Sequence, residues 1–172
     1  MKDRLNALKV ALGNEMREHT FYLKNAERTK NPLGKAMFHQ IAGEELEHYE
    51  RLKQLHENWE KNKKWPETVP LKVKNTGVKN LLKEAAKIDP KKSKGDTDDL
   101  KAIQTAIEFE AKGTEYYAKL RDEVADPKEK AFFGLLTNIE HEHYVSLKDT
   151  EQYMIDPATW FREKEEGGLD GA

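Results

Sequence analysis

The sequence predicts an all-α protein, a four-helix bundle of two antiparallel helical hairpins, and three observations lead to this fold. Long stretches carry buried-type residues at alternating spacings of three and four, which is the pattern of a bundle helix. Charged residues make up 36% of the chain, whereas glycine and proline are few, which favours helices with solvated outer faces. The hairpin pattern also occurs twice, with an offset of 95 residues from Glu45 to Glu140.

The first hairpin is predicted over residues 3–62. Its first helix extends from about Asp3 to Thr29. The pair Asn31-Pro32 then supplies an N-cap followed by proline at the first helical position, so a second helix begins there and continues to about Asn62. Because the connection is so short, the two helices must lie antiparallel.

Residues 63–96 are predicted to cross the bundle. Proline follows Trp65 and Val69, which disfavours helix at both places. A short helix is expected from Val78 to Ile88. A connection of this length is too long for a hairpin, so we expect it to run back along the bundle and to start a parallel neighbour.

The second hairpin is predicted over residues 97–154. Its first helix extends from Thr97 to about Val124, and Asp126-Pro127 repeats the cap-plus-proline signal for a last helix that ends near Met154. Residues 1–154 would then form one helical bundle. Residues 155–172 form a short C-terminal extension with one helical turn, from Ala158 to Lys164.

The composition excludes several function classes. The chain has no cysteine, which excludes disulfides, thiolate zinc sites, iron–sulfur clusters and cysteine catalysis. With a formal net charge of −2 and no basic block, no nucleic-acid partner is expected. The sequence shows neither a signal peptide nor an apolar run long enough for a bilayer, so we expect a cytoplasmic protein without a membrane partner.

Carboxylates and imidazoles interrupt the apolar stripes where leucine is expected. Glu45-x-x-His48 lies on the second helix, and Glu140-x-x-His143 lies on the fourth. Each pair follows a lone stripe glutamate by 30 residues, Glu15 in the first half and Glu110 in the second. Residues three apart share one helix face at about 5–6 Å, so each Glu–His pair can hold one ion.

The duplicated pattern predicts a site for two metal ions. Pseudo-twofold symmetry would bring four carboxylates and two imidazoles to one layer of the core, and four glutamates would balance the charge of two Fe²⁺ ions. Oxygen-rich ligands with one imidazole per ion suit iron, with manganese or a mixed iron–manganese pair as the alternative. A purely structural pair of buried Glu–His contacts is disfavoured, since four carboxylates at one level repel each other without a cation.

Three further residues are candidates for the site. Tyr22 and Tyr117 follow the lone glutamates by seven residues on the same face, where their hydroxyls can hydrogen-bond ligand carboxylates; the alternative is a structural core tyrosine. Glu18 lies one turn after Glu15 and is a candidate seventh metal ligand. Its counterpart in the second half is Gly113, and the alternative for Glu18 is a solvated flank position.

Other polar residues are interpreted as bystanders. His19 lies on the first stripe, where a core or supporting histidine is favoured over a ligand. The remaining candidates leave the stripes and are interpreted as residues of the helix flanks: Glu44, Glu47, His39, His56, His141 and Glu142.

These motifs resemble the rubrerythrin branch of the ferritin-like proteins over about residues 3–154. The resemblance rests on Glu-x6-Tyr and Glu-x-x-His in each half, with Asn31-Pro32 and Asp126-Pro127 opening the second helix of each pair. The tail from Trp160 to Gly171 also resembles the ending of single-domain rubrerythrin-like proteins. The resemblance implies a ferritin-like bundle and a non-haem di-iron oxidoreductase that reduces hydrogen peroxide or O₂. Its catalytic and metal-binding residues would be Glu15, Glu45, His48, Glu110, Glu140 and His143.

Two departures from that family pattern shape the expectation. Rubrerythrins proper carry a rubredoxin domain with a four-cysteine iron site, and this chain has no cysteine, so a separate donor such as rubredoxin would supply electrons. Rubrerythrins also carry a further glutamate ligand where this chain has Gly113, and Glu18 would replace it. A homodimer is expected. The alternative function is that of a ferroxidase in iron handling, which requires a hollow oligomeric shell; an O₂-activating hydroxylase is a third hypothesis.

Overall fold

The computed structural model describes residues 2–64, 73–85, 87 and 94–169, and all regular structure in these ranges is helical. The all-α prediction is therefore confirmed. The helices are α1 Lys2–Arg28, α2 Pro32–Asn62, α3 Val78–Ala85, α4 Thr97–Glu123, α5 Pro127–Ile155 and α6 Pro157–Leu169. The predictions for Trp65-Pro66, Val69-Pro70, Ile88 and the last tail residues lie outside the described residues.

The predicted caps start the long helices. The side chain of Asn31 accepts a hydrogen bond from the Gly34 N–H at 3.0 Å, and Asp126 accepts from the N–H groups of Lys128 and Glu129. Asp96 caps α4 in the same way. Each cap satisfies backbone donors that the first helical turn leaves unpaired, which is why these helices begin where the sequence predicts.

The four long helices pack as two hairpins, α1 on α2 and α4 on α5. The carboxylate of Asp99, at the start of α4, accepts hydrogen bonds from the backbone N–H groups of Lys30 and Asn31, which precede α2. Helices α2 and α4 therefore begin at the same end of the bundle and are parallel. At the opposite end, an ion pair of Arg4 with Glu129 joins the beginnings of α1 and α5.

Two apolar clusters fill the core, one toward each end of the bundle. The first is centred on Phe38, Ile41 and Ile103, and the second on Leu8, Leu52 and Phe133. On every long helix a glutamate lies on the stripe between these clusters, and α2 and α5 add a histidine one turn later. The polar layer is therefore enclosed by apolar side chains on both sides.

The two short helices lie against the bundle. Helix α3, within the crossover, packs on α2 and α5 and buries Val78 and Ala85. Helix α6 packs on α5, where the indole N–H of Trp160 donates to Asp149 at 3.0 Å. It is longer than the predicted turn, since it begins at Pro157, just after the capping residue Asp156, and continues past Lys164 to Leu169. None of the helices in the described ranges is both long enough and apolar enough to cross a membrane.

Candidate metal centre

The structure brings the six sequence-predicted residues together in one buried layer. They form two overlapping groups, in each of which one ligand atom per residue lies within 4.8 Å of the others. One group contains Glu15, Glu45, His48 and Glu140, and the other contains Glu45, Glu110, Glu140 and His143. All six residues are at most 1% exposed. Glu45 and Glu140 belong to both groups, so each of these carboxylates could contribute to holding two ions.

Both histidines direct Nδ1 at the carboxylates. Nδ1 of His48 lies 3.3 Å from Glu15 and from Glu140, and 3.6 Å from Glu45. Nδ1 of His143 lies 3.3 Å from Glu45 and from Glu110. The two rings face each other with centroids 6.3 Å apart and an interplanar angle of 18°. The repeat seen in the sequence is thus a pseudo-twofold arrangement in space.

The carboxylate oxygens at the centre of this layer have no hydrogen-bond partner within the described chain. These are both oxygens of Glu45, both oxygens of Glu140 and Oε2 of Glu15, and Nδ1 of His48 is likewise unpaired. Burying an ionised carboxylate without a hydrogen-bond partner or counter-ion costs on the order of several kcal/mol of folding free energy. A cation between these atoms would compensate that cost, so the residues present fit a metal pair.

The protonation of the layer reflects the crowding of like charges. Burial and the charge of Glu45 raise the pKa of Glu15 to about 8, and the same causes raise the pKa of Glu140 well above its ordinary value. Burial opposes ionisation of Glu45 too, but the charge of His48 and the nearby imidazole of His143 lower its pKa. Without a cation, the layer therefore retains protons that a metal must displace.

Two tyrosines hold the outer carboxylates from the opposite hairpin. The hydroxyl of Tyr22 on α1 donates to Oε1 of Glu110 on α4, and the hydroxyl of Tyr117 on α4 donates to Oε1 of Glu15 on α1. In each glutamate the other oxygen, Oε2, faces a histidine Nδ1. The hydrogen bonds expected from the sequence are present, and they leave one oxygen of each glutamate free for an ion.

Glu18 and Gly113 occupy the mirrored positions that break the symmetry. Glu18 is only 6% exposed, so its interpretation as a solvated flank residue is wrong. Burial and the charges of Glu45, Glu110 and Glu15 raise its pKa to about 10, although it lies outside the two four-residue groups. A Cβ at Gly113 would lie 2.8 Å from Oε2 of Glu140, so glycine leaves the space that this carboxylate occupies.

Glu44 differs from the other polar candidates outside the layer, because it contacts one of the layer's histidines. His19 is not in either group, and its Nδ1 lies 2.6 Å from the carbonyl oxygen of Ala42, as expected for a supporting histidine. His39 and His141 are exposed flank residues. The flank interpretation of Glu44 is wrong, because its Oε2 lies 2.5 Å from Nε2 of His143. No sequence signal marks Glu44, since it leaves the stripe by one position.

This fold and site together define a class: helical bundles whose buried glutamates and histidines are arranged for a pair of metal ions. The family model for rubrerythrin matches residues 6–151, and the chain belongs to the rubrerythrin family, whose fold is ferritin-like. Comparisons with curated proteins and with solved structures find no match.

Proposed function

We propose that this protein is a non-haem di-iron oxidoreductase that reduces hydrogen peroxide. The observation that carries the proposal is the pair of shared, buried glutamates, Glu45 and Glu140, whose four oxygens lack hydrogen-bond partners in the described chain. Membership of the rubrerythrin family supports the same chemistry.

In this proposal each histidine belongs to one ion. Glu15 and His48 would complete one position, Glu110 and His143 would complete the other, and Glu45 and Glu140 would contribute to both. Glutamate oxygens with a single imidazole suit iron or manganese better than copper or zinc. A bound pair of ferrous ions would supply two electrons, which together with two protons reduce one hydrogen peroxide to two water molecules.

The protein's own residues would orient the site and isolate it. Tyr22 and Tyr117 keep Glu110 and Glu15 turned so that one oxygen of each faces the layer. The apolar clusters on either side exclude bulk water, which strengthens the electrostatic interactions between the carboxylates and a bound cation. Glu18, buried one turn beyond Glu15, is the candidate for a further ligand.

We also propose a separate electron donor, such as rubredoxin, because the chain has no cysteine with which to hold an iron–sulfur centre of its own. The active species would be a homodimer. Size-exclusion chromatography with light scattering tests this part, since a mass of many subunits would instead favour a shell for iron storage.

The test of the reaction is a peroxide titration of iron-loaded protein under anaerobic conditions. We expect two irons per chain and complete oxidation of Fe²⁺ by one hydrogen peroxide per iron pair. Near-ultraviolet absorption of the ferric product monitors the oxidation. Glu45→Ala is the matched control and should neither hold the iron pair nor show the transition. Loaded protein whose Fe²⁺ is not oxidised by peroxide would exclude the proposed reaction, while rapid oxidation by O₂ with uptake of further iron would favour a ferroxidase.

A further inference from the structure

The carboxylate of Glu44, on α2, is the centre of a hydrogen-bonding network beside the layer of six candidate metal ligands. Its Oε2 lies 2.5 Å from Nε2 of His143 and accepts from the hydroxyl of Thr76 at 2.7 Å. Its Oε1 accepts from the backbone N–H of Gly77 at 2.8 Å and from the side-chain amide of Gln40 at 2.6 Å. Four donors therefore occupy the four acceptor positions of an ionised carboxylate.

The contact determines which nitrogen of His143 faces the layer. A carboxylate that already accepts three other bonds requires a donor at Nε2, so the proton of a neutral His143 lies there. The lone pair then lies on Nδ1, which is the nitrogen 3.3 Å from both Glu45 and Glu110. A hydrogen-bonded carboxylate at the remote nitrogen also makes an imidazole a more basic metal ligand.

The same contact ties the metal layer to the crossover. Thr76 and Gly77 directly precede α3, and Thr76 also accepts a hydrogen bond from the backbone N–H of Val78, the first residue of that helix. Val78 is fully buried in the core. The orientation of His143 is thus coupled to the docking of residues 76–78 on the bundle.

The second half of the repeat has no equivalent of this centre. The position that corresponds to Glu44 is Ile139, a buried apolar residue of α5. The ion-pair contacts of His48 within the described chain all involve Nδ1. The two halves of the layer therefore supply the same four central glutamates but differ, within the described chain, in the support of their histidines.

We propose that Glu44 is a positioning residue that fixes His143 for metal binding, so that the His143 position binds a divalent ion more tightly than the His48 position. The inference rests on the proposed metal pair, and it names which of the two positions fills first. It also couples occupancy of that position to the docked crossover.

The test is a Co²⁺ titration of the metal-free protein, followed by visible absorption and by calorimetry. We expect two unequal binding steps in the unaltered chain. Glu44→Gln should weaken the tighter step by about 10- to 100-fold and leave the weaker step unchanged. Glu47→Gln, the same substitution three residues along α2, is the matched control and should change neither step.

A second measurement separates positioning from a general structural role. In the Co²⁺-loaded protein, proton NMR should show one shifted imidazole N–H that exchanges slowly with solvent, because Glu44 holds it. The signal should disappear or exchange rapidly in Glu44→Gln. Thr76→Val retains the carboxylate but removes one crossover bond, so it should weaken the same step less than Glu44→Gln does. This variant keeps the test usable if Glu44→Gln folds poorly.

The Co²⁺ titrations distinguish an error in the proposed metal site from an error in the role of Glu44. If the unaltered chain binds no Co²⁺, the proposed metal site is wrong. If it binds two ions and Glu44→Gln binds them with unchanged affinities, only the role of Glu44 is overturned. If Glu44→Gln instead weakens the looser step, the assignment of the tighter position to His143 is overturned.

Discussion

At the scale of single residues, the six central side chains differ in how many of the two candidate metal-binding groups they belong to. Glu45 and Glu140 belong to both groups, whereas Glu15 belongs to one. We therefore predict that Glu45→Ala and Glu140→Ala bind no metal pair, and that Glu15→Ala retains about half of the metal of the unaltered chain. Metal analysis of protein reconstituted with Fe²⁺ under anaerobic conditions measures this difference.

Circular dichroism of the same samples provides the control, because each variant should remain helical. Removal of one of several crowded carboxylates relieves repulsion in the metal-free bundle, so loss of metal should not follow from unfolding. Equal metal content in Glu15→Ala and Glu45→Ala would contradict the assignment of Glu45 as a shared ligand.

Gly113 is the residue at which stability and metal binding should respond in opposite directions. Alanine in the middle of α4 should raise the free energy of unfolding by up to about 1 kcal/mol through helix propensity. Its Cβ would, however, lie 2.8 Å from Oε2 of Glu140, and that flexible carboxylate must move. We predict that Gly113→Ala binds Co²⁺ more weakly than the unaltered chain does. Without metal, the variant should be at least as stable as the unaltered chain.

The matched control for this substitution is Gly13→Ala in α1, where no atom lies within 4 Å of the added Cβ. Gly13→Ala should show the gain in stability without any change in Co²⁺ affinity. If Gly113→Ala bound Co²⁺ as tightly as Gly13→Ala does, the space at Gly113 would not matter for Glu140.

Residue patterns predicted the central cluster because the duplication made it visible. A single Glu-x-x-His is common in a glutamate-rich helix, but two such pairs, each preceded by a stripe glutamate at the same distance, are not. Glu44 could not be found in this way, since its role depends on Thr76 and Gly77, which the crossover brings to it. The burial of Glu18 likewise depends on the packing of the other helices around it.

At the scale of helices, the beginnings were easier to predict than the ends. Asn31-Pro32, Asp96 and Asp126-Pro127 start helices where local chemistry alone requires it, because side-chain oxygens satisfy the first N–H groups. The end of α6 was not predictable, since the chain continues in helix beyond the expected turn to Leu169. Residues 162–167 are exposed, so no stripe of buried residues marks where this helix ends.

Asp99 connects two helix ends, and its loss should be costly. Its carboxylate accepts from the backbone N–H groups of Lys30 and Asn31, and it is only 4% exposed. Asp99→Ala removes this acceptor from the buried N–H of Asn31 and the half-buried N–H of Lys30, so we predict a loss of about 1–3 kcal/mol in the free energy of unfolding. Urea denaturation of the metal-free protein measures it.

The adjacent residue Asp98 provides a matched control. It also lies in the first turn of α4 but is exposed, so Asp98→Ala should change the free energy of unfolding by no more than about 0.5 kcal/mol. Similar losses in the two variants would show that charge at the helix start matters, and that the link to the first hairpin does not.

At the scale of the whole molecule, the bundle accepts an unfavourable polar layer between two favourable apolar clusters. The sequence predicted that such a layer exists, because the stripes of all four long helices change from apolar to ionisable residues at corresponding positions. It could not predict the facing distances between the hairpins, since these depend on how the side chains of α1 and α4, and of α2 and α5, pack against each other.

The stability of the metal-free protein should fall as pH rises from about 5 to about 8. The pKa of Glu15 is raised from 4.5 to about 8, so in this range the folded state binds more protons than the unfolded state, and stability decreases with pH. The pKa values of His48 and His143 are also raised, with the same sign, because the surrounding carboxylates outweigh the effect of burial. Glu44 acts in the opposite direction, because the contacts of His143 outweigh burial and lower the pKa of Glu44 to about 2. Its effect on stability is limited to pH values below about 4.5.

Bound metal requires the carboxylates to be ionised, so the stability of the metal-loaded protein should not fall over this pH range, and the stabilisation by metal should grow with pH. Thermal melts of metal-free and Co²⁺-loaded protein across this range measure the difference, and Glu15→Gln should make the metal-free curve shallower. Parallel curves for the two forms would mean that metal and protons do not compete for this layer.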